Sequence, residues 1–234
     1  MTPKASLQTA AREHLAQLTT ERQNTASSDL DTKSALEIAQ IMNAEDRKVP
    51  EAVGQALGKI AVAIDAITDA LRRGGRLIYV GAGTSGRIAA LDASECPPTF
   101  GISPERVQYI MAGGEKALGR AAEYNEDSRA AGAADMAKRK PGKRDVVVGI
   151  AASGRTPYTI AAVEHARKRG AKTVAVTCNA NSELGCAGFP YAIASYEVEG
   201  KGFNWKSSEA RATRVKHEEI PLEDEVVGFP AVAP

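Results

Sequence analysis

The run Leu77-Ile-Tyr-Val-Gly-Ala-Gly-Thr-Ser-Gly-Arg87 sets the fold class of this chain. A short apolar stretch gives way to glycines and hydroxyls, as a buried parallel strand does where it hands over to a helix. The same order recurs in Val146-Val-Val-Gly-Ile-Ala-Ala-Ser-Gly-Arg-Thr-Pro-Tyr158. A loop opening onto a helix N-terminus presents unpaired N–H groups and the positive end of the helix dipole, which together seat an anion. Thr84, Ser85, Ser153 and Thr156 add hydroxyl donors, and Gly86 and Gly154 complete the two seats. Because the hydroxyls are neutral, such seats hold one compact phosphate and leave the neighbouring polar surface for a sugar. Gly81-x-Gly83-x-x-Gly86 also fits the dinucleotide fingerprint, which calls for an acidic residue about 20 positions on. Glu115, the nearest candidate, lies further off, and the second hydroxyl loop has no part in that pattern, so a phosphosugar is favoured. A plain strand-to-helix turn uses the same residue types.

Working outward, strands are expected at Arg76 to Val80, Val107 to Met111, Asp145 to Ile150, Thr173 to Thr177 and Tyr191 to Ala194, with helices between them. This alternation predicts an α/β fold with a central parallel sheet of about five strands covered on both faces and preceded by N-terminal helices. Thr156-Pro157 reads as an N-cap followed by proline at the first helical position, and Gly170 as the stop of that helix. Ligands of open α/β sheets gather at the carboxyl ends of the strands near a switch in strand order, which puts both loops at one crevice.

Upstream, Ser28 with Asp31 predicts a helix start, continued through Leu36, Ala39 and Met42 to about Asp46. Val53, Leu57, Ile60, Ile64, Ile67 and Leu71 predict one continuous helix of about six turns, its stripe packed on the sheet or on a second subunit. Residues 1 to about 20 carry a weak helical pattern through Leu7, Ala11, Leu15 and Leu18.

At 234 residues the chain supports one α/β core with helical additions. Its formal net charge of +1 gives no sign of a nucleic-acid partner. Cys96, Cys178 and Cys186 form no C-x-x-C pair and lack the histidine spacing of a zinc site, and a reducing cytosol is their simplest home. No stretch approaches the ~20 apolar residues of a membrane span, and a cytoplasmic protein is expected.

His14, His165 and His217 sit in ordinary helical or tail contexts, so carboxylates are the acid–base candidates. Glu95, in Asp92-Ala-Ser-Glu-Cys-Pro-Pro98, is expected just after a short helix that opens at the first loop, with two prolines stopping that helix. Partial burial there would tune it as a general acid or base. Glu115 follows the second strand, and Glu126 precedes the next helix. An isolated glutamate is ordinarily a solvated charge, and proximity to the loops is what singles these out.

From about Asn24 to Asn179 the chain resembles the N-acetylmuramic acid 6-phosphate etherases of the sugar isomerase (SIS) fold. The matching words include Asn24-Thr-Ala-Ser27, Asn43-x-Glu-Asp46, Gly75 to Arg87, Leu91-Asp-Ala-Ser-Glu-Cys-Pro-Pro-Thr99, Ala112-Gly-Gly-Glu115, Glu126-Asp-Ser128 and Asp145 to Tyr158. The Asp-Ala-Ser-Glu-Cys-Pro-Pro run is absent from ordinary sugar-phosphate isomerases. The resemblance implies an SIS-type three-layer α/β/α domain and a cytoplasmic, metal-free, cofactor-free lyase that works as a homodimer. It implies cleavage of the lactyl ether of N-acetylmuramic acid 6-phosphate by elimination and then hydration, in cell-wall recycling. It assigns Glu95 as proton donor, Glu126 as the second active-site carboxylate and Glu115 to sugar hydroxyls, with Thr84, Ser85, Ser153 and Thr156 on the phosphate.

The likeness fails after about Ser182. Family members continue into a Thr-Gly-Ser-x-Arg-x-Lys-x-Gly segment and a long helix, whereas this chain reads Gly202-Phe-Asn-Trp-Lys-Ser-Ser208 and an acidic, proline-spotted end, a change of the kind a shifted reading frame produces. The expected organisation is a helical arm over 1–49, an SIS sugar-phosphate-binding domain over 50–195 and a poorly ordered tail over 196–234. Binding or dimer closure is expected to be impaired by the altered tail. A non-catalytic sugar-phosphate sensor similar to the glucokinase regulatory protein, and a sugar-phosphate isomerase, are the competing functions.

Overall fold

Five parallel strands in the order β2-β1-β3-β4-β5 carry the architecture of this computed structural model. It describes residues 20, 22–120, 125–179, 182–187 and 193–195. Contacts divide the chain into residues 1–202 and 203–234, and everything below concerns the first part. The leucine pattern at Leu7 to Leu18 and the tail over 196–234 lie outside the described residues.

The strands are β1 (Leu77–Gly81), β2 (Val107–Met111), β3 (Val146–Ile150), β4 (Lys172–Thr177) and β5 (Ile193–Ser195). Each expected strand is present, shifted by no more than two residues at an end. The helices are α1 (Ala35–Asp46), α2 (Lys48–Gln55), α3 (Leu57–Arg72), α4 (Gly83–Phe100), α5 (Lys116–Gly119), α6 (Arg129–Arg139), α7 (Pro157–Lys168) and α8 (Glu183–Ala187). Side chains alternate between two cores because strand residues alternate faces. Ile78, Val80, Ile110 and Val147 pack with Met136 of α6, Ile160 and Val163 of α7 and Leu184 of α8. Leu77, Val107, Val146 and Val174 face the other way, onto Ala63 and Ala70 of α3 and Ala93 of α4. The result is a three-layer α/β/α domain.

Three expectations are corrected. Helix α1 starts at Ser34, not Ser28. Ser34 Oγ accepts from the Glu37 N–H while the Glu37 carboxylate accepts from the Ser34 N–H at 2.8 Å, a reciprocal capping box. Ser28 instead donates its hydroxyl to the Thr25 carbonyl and closes a 3-10 turn.

The single long helix after Pro50 is two helices broken at Ala56, between Gly54 and Gly58, whose low helix propensity weakens the joint. The bulky stripe packs only in part: Ile67 and Leu71 are half-buried against the core on this side of the sheet, and alanines make up the fully buried face. Ala52, Ala56, Ala63, Ala66 and Ala70 are buried, while Leu57 and Ile64 stay 60% and 56% exposed. Small side chains let α3 lie close to the sheet, while Leu57 and Ile64 turn to its flank.

Finally, Pro97 and Pro98 do not end the helix before them. They sit inside the last turns of α4, which runs on to Phe100 and closes at Gly101, whose N–H bonds the Pro97 carbonyl at 2.9 Å. Glu95 is therefore within a helix of 18 residues, not on a turn after it. The expected stop of α7 does hold. Gly170 N–H meets Arg167 O at 2.9 Å and Ala171 N–H meets Ala166 O at 3.1 Å, the paired bonds of a Schellman motif.

Candidate functional site

Strands β1 and β3 are neighbours, with Gly81 in register with Ile150. The chain leaves β1 toward β2 on one side and leaves β3 toward β4 on the other, so the strand order switches between them. In sheets of this order ligands bind at that switch. Neighbouring strands lie about 4.8 Å apart, and both hydroxyl loops start at the same end of this pair.

The first loop is packed backbone on backbone. A Cβ on Gly86 would meet Met111 Cβ at 2.8 Å, and one on Gly81 would meet the Gly86 nitrogen at 2.8 Å. That closeness brings α4 onto the strand end, with Thr84 exposed and Ser85 half-buried at its first turn. The second loop is held by side chains from the end of β4. Thr177 Oγ1 donates to Ala152 O at 3.2 Å, and the buried Asn179 Nδ2 donates to Ala152 O at 3.3 Å and Ser153 O at 3.2 Å. Gly154 has φ +66°, and a Cβ there would stand 2.1 Å from Ser182 Oγ.

Neither helix that opens at the loops carries an acidic residue in its first turn, so no carboxylate of its own opposes an anion at either dipole end. Thr156 occupies the N-cap of α7 with Pro157 at the first helical position, as the sequence predicts. Its hydroxyl makes no capping bond. The Tyr158 N–H, which a capping hydroxyl would ordinarily take, goes instead to the Glu126 carbonyl at 3.0 Å. One contact thus ties the Glu126 backbone to the second loop's helix and takes the place of a Thr156 cap. The Ser153 hydroxyl accepts the Arg155 N–H at 3.3 Å, which leaves its own hydrogen available.

Glu126 is half-buried, and Glu115 is exposed at the start of α5. Glu95 stands apart from both. It follows Gly83 by twelve residues, which at 1.5 Å per residue puts it about 18 Å along α4 from its own chain's seat. It is exposed on the same helical stripe as Thr84, Ile88 and Leu91, and Ile88 and Leu91 are 58% and 62% exposed. The structure therefore brings Thr84, Ser85, Gly86, Ser153, Gly154, Thr156 and Glu126 to one end of the sheet, and does not bring Glu95 to them. A cavity of about 770 Å³ runs along the open edge of β2 past Gln108, Tyr109, Asp135 and Arg139, and of these candidates it touches Glu115 alone.

Sequence reasoning missed the supports. Thr177 and Asn179 are buried polar residues at the end of an apolar strand and two residues beyond it, a pattern that marks a loop anchor once the strand is known. Among the described residues no group of three or more His, Cys, Asp or Glu side chains is placed to hold a metal ion, and no helix is long and apolar enough to cross a membrane.

A family model described as the glucokinase regulatory protein N-terminal SIS domain matches residues 59–167. The chain is 52% identical over 170 residues to the N-acetylmuramic acid 6-phosphate etherase of Glaesserella parasuis, a match covering 73% of this chain and 56% of that protein. The etherase of Clostridium beijerinckii is 52% identical over 171 residues, with the same coverage. The chain thus spans little more than half the length of these relatives. Among solved structures, a phosphoheptose isomerase from Francisella tularensis has a TM-score of 0.51 at 20% identity, covering 74% of this chain and 89% of that one, a likeness of fold.

Proposed function

Because the chain belongs by sequence to the N-acetylmuramic acid 6-phosphate etherase family, we propose that it is a carbon–oxygen lyase that releases D-lactate from N-acetylmuramic acid 6-phosphate. The observation that carries this reading is the pair of hydroxyl loops at adjacent strand ends, with Glu126 bonded to the helix of the second. Thr84, Ser85 and Gly86 from one side and Ser153, Gly154 and Thr156 from the other take the phosphate. The sugar opens to its aldehyde, which acidifies the C2 hydrogen. A carboxylate removes that proton, the lactate oxygen leaves C3 with a proton from an acid, and water adds across the alkene to give N-acetylglucosamine 6-phosphate. Glu126, whose backbone is tied to the second loop's helix, serves as the second active-site carboxylate, and Glu115 contacts sugar hydroxyls. Residues 50–195 form the phosphosugar-binding domain, 1–49 its arm and 196–234 a divergent tail that lowers turnover, and the setting is the cytoplasm.

Glu95 serves as proton donor in the seat of a second copy. Along α4, Thr84, Ile88, Leu91 and Glu95 form one stripe. A two-fold axis between Ile88 and Leu91 would lay two such helices antiparallel, covering the exposed apolar residues and setting each Glu95 against the other copy's Thr84. A homodimer is thereby part of the mechanism.

Lactate release from N-acetylmuramic acid 6-phosphate tests the activity. If Glu95→Gln and Glu126→Gln chains are each inactive, mixing them restores roughly a quarter of normal activity when Glu95 acts across the dimer, since one site in each mixed dimer is intact. No recovery would return Glu95 to its own chain or remove it from the chemistry. Phosphosugar binding without lactate release would favour a sugar-phosphate sensor, the function suggested by the regulatory-protein match.

A further inference from the structure

Arg87 is the cation closest in sequence to the first loop, and a phosphate ligand would be its expected use. Its guanidinium is turned elsewhere. Nε donates to Leu118 O at 3.0 Å and Nη2 to Arg120 O at 3.2 Å, across more than thirty residues of chain. Those carbonyls belong to the exit of α5, a helix of four residues whose N-cap is Glu115. A helix that short does not persist on its own, because nucleation fixes several residues for a single hydrogen bond. Glu115 makes no side-chain capping bond at its start. The start of α5 is a turn closed by Ala117 N–H to Gly114 O at 3.0 Å and Leu118 N–H to Glu115 O at 3.1 Å. At the other end a cation on the last carbonyls also meets the negative end of the helix dipole.

We propose that Arg87 is a positioning residue: it fixes α5, and with it Glu115, to the first turn of the helix that opens at the phosphate seat. On this view the seat and the sugar-hydroxyl contact are built as one rigid piece, so that holding the phosphate also sets the distance to the sugar hydroxyls. The inference rests on the phosphosugar reading for its functional meaning, though not for its structural content.

Two measurements separate these. Hydrogen exchange of residues 115–120 in Arg87→Ala should be at least about tenfold faster than in the unaltered chain, with the sheet unchanged, since two hydrogen bonds to a charged donor are lost. Unchanged exchange would overturn the proposal whatever the protein's activity. Binding is then compared for inorganic phosphate and N-acetylglucosamine 6-phosphate. Arg87→Ala should weaken the phosphosugar by about tenfold and phosphate by less than about twofold, Arg87→Lys should recover part of the loss, and adding Glu115→Ala should weaken binding no further. An equal loss for both probes would make Arg87 a phosphate ligand and refute the positioning role. Should Arg87→Ala fail to fold, Arg87→Lys, which keeps the charge but not the fork, carries the same comparison. If the unaltered chain binds neither probe, the phosphosugar reading fails while the exchange result still decides the role of Arg87.

Discussion

The two hydroxyl loops occupy equivalent places at the ends of adjacent strands, yet they are supported by different means. The first is fixed by close backbone packing of Gly81 and Gly86 against each other and Met111. The second is held from behind by Thr177, Asn179 and Ser182. Backbone packing leaves little that one side-chain substitution can remove, whereas a loop hung on hydroxyl and amide donors can be loosened one bond at a time. The difference also sets tolerance. At Gly83, φ is +54° with open space around a would-be Cβ, while at Gly154 the same left-handed backbone is boxed in.

Gly154→Ala gives the largest expected effect. A Cβ only 2.1 Å from Ser182 Oγ, added to a φ of +66°, should destabilise the fold by about 3 kcal/mol and abolish phosphosugar binding. Thermal unfolding reads the first and calorimetric titration the second. A shift as small as that expected for Gly83→Ala would erase the contrast between the loops.

The opposite end of the sheet offers a change that should strike both loops together. Asp145 accepts from Arg76 N at 2.9 Å, from the Arg76 guanidinium at 2.8 Å and from Gly142 N at 3.0 Å, which ties the starts of β1 and β3. Burial alone would raise its pKa, but the hydrogen bonds from Arg76 and Gly142 outweigh it and hold the carboxyl below the usual range. With a depressed folded pKa, its stabilisation is present above the ordinary carboxylate value and is lost as pH falls through the folded one. Asp145→Asn should lower stability by about 2 kcal/mol at pH 7 and flatten the acid limb of the unfolding curve. If only one loop loosened, measured by hydrogen exchange, the shared foundation would be refuted.

Asn179→Ala should destabilise by about 1 to 2 kcal/mol and weaken phosphosugar binding, by removing the amide that holds Ala152 and Ser153. Exchange should quicken in the second loop and stay unchanged in the first, and equal quickening would contradict the separate supports. The smallest effect belongs to Gly83→Ala, about 1 kcal/mol from a left-handed backbone in free space.

The strands and the second loop's helix were legible in the sequence because their signals are local: apolar runs of strand length, proline at the first helical position, glycine past the last. Glu95 was misplaced for a physical reason. Proline in a sequence reads as a stop, but Pro97 and Pro98 lie in the last turn of α4, where few intrahelical bonds remain for them to remove. Bulk along the stripe from Val53 to Leu71 marks burial only at Ile67 and Leu71, because closeness of approach to the sheet selects alanine for the fully buried face. Asn179 and Arg87 escaped because their partners lie far away along the chain, and only the folded topology brings them together.

That alanine face has a further meaning. On α3 the residues that secure the helix to its own sheet, Ala63, Ala66 and Ala70, are not those left on its flank, Leu57 and Ile64. Interior contacts and exposed apolar bulk thus lie on separate sides of one cylinder. A surface designer could recolour the flank to polar residues without disturbing the interior, or enlarge an alanine to pry the layers apart while leaving the outer side untouched.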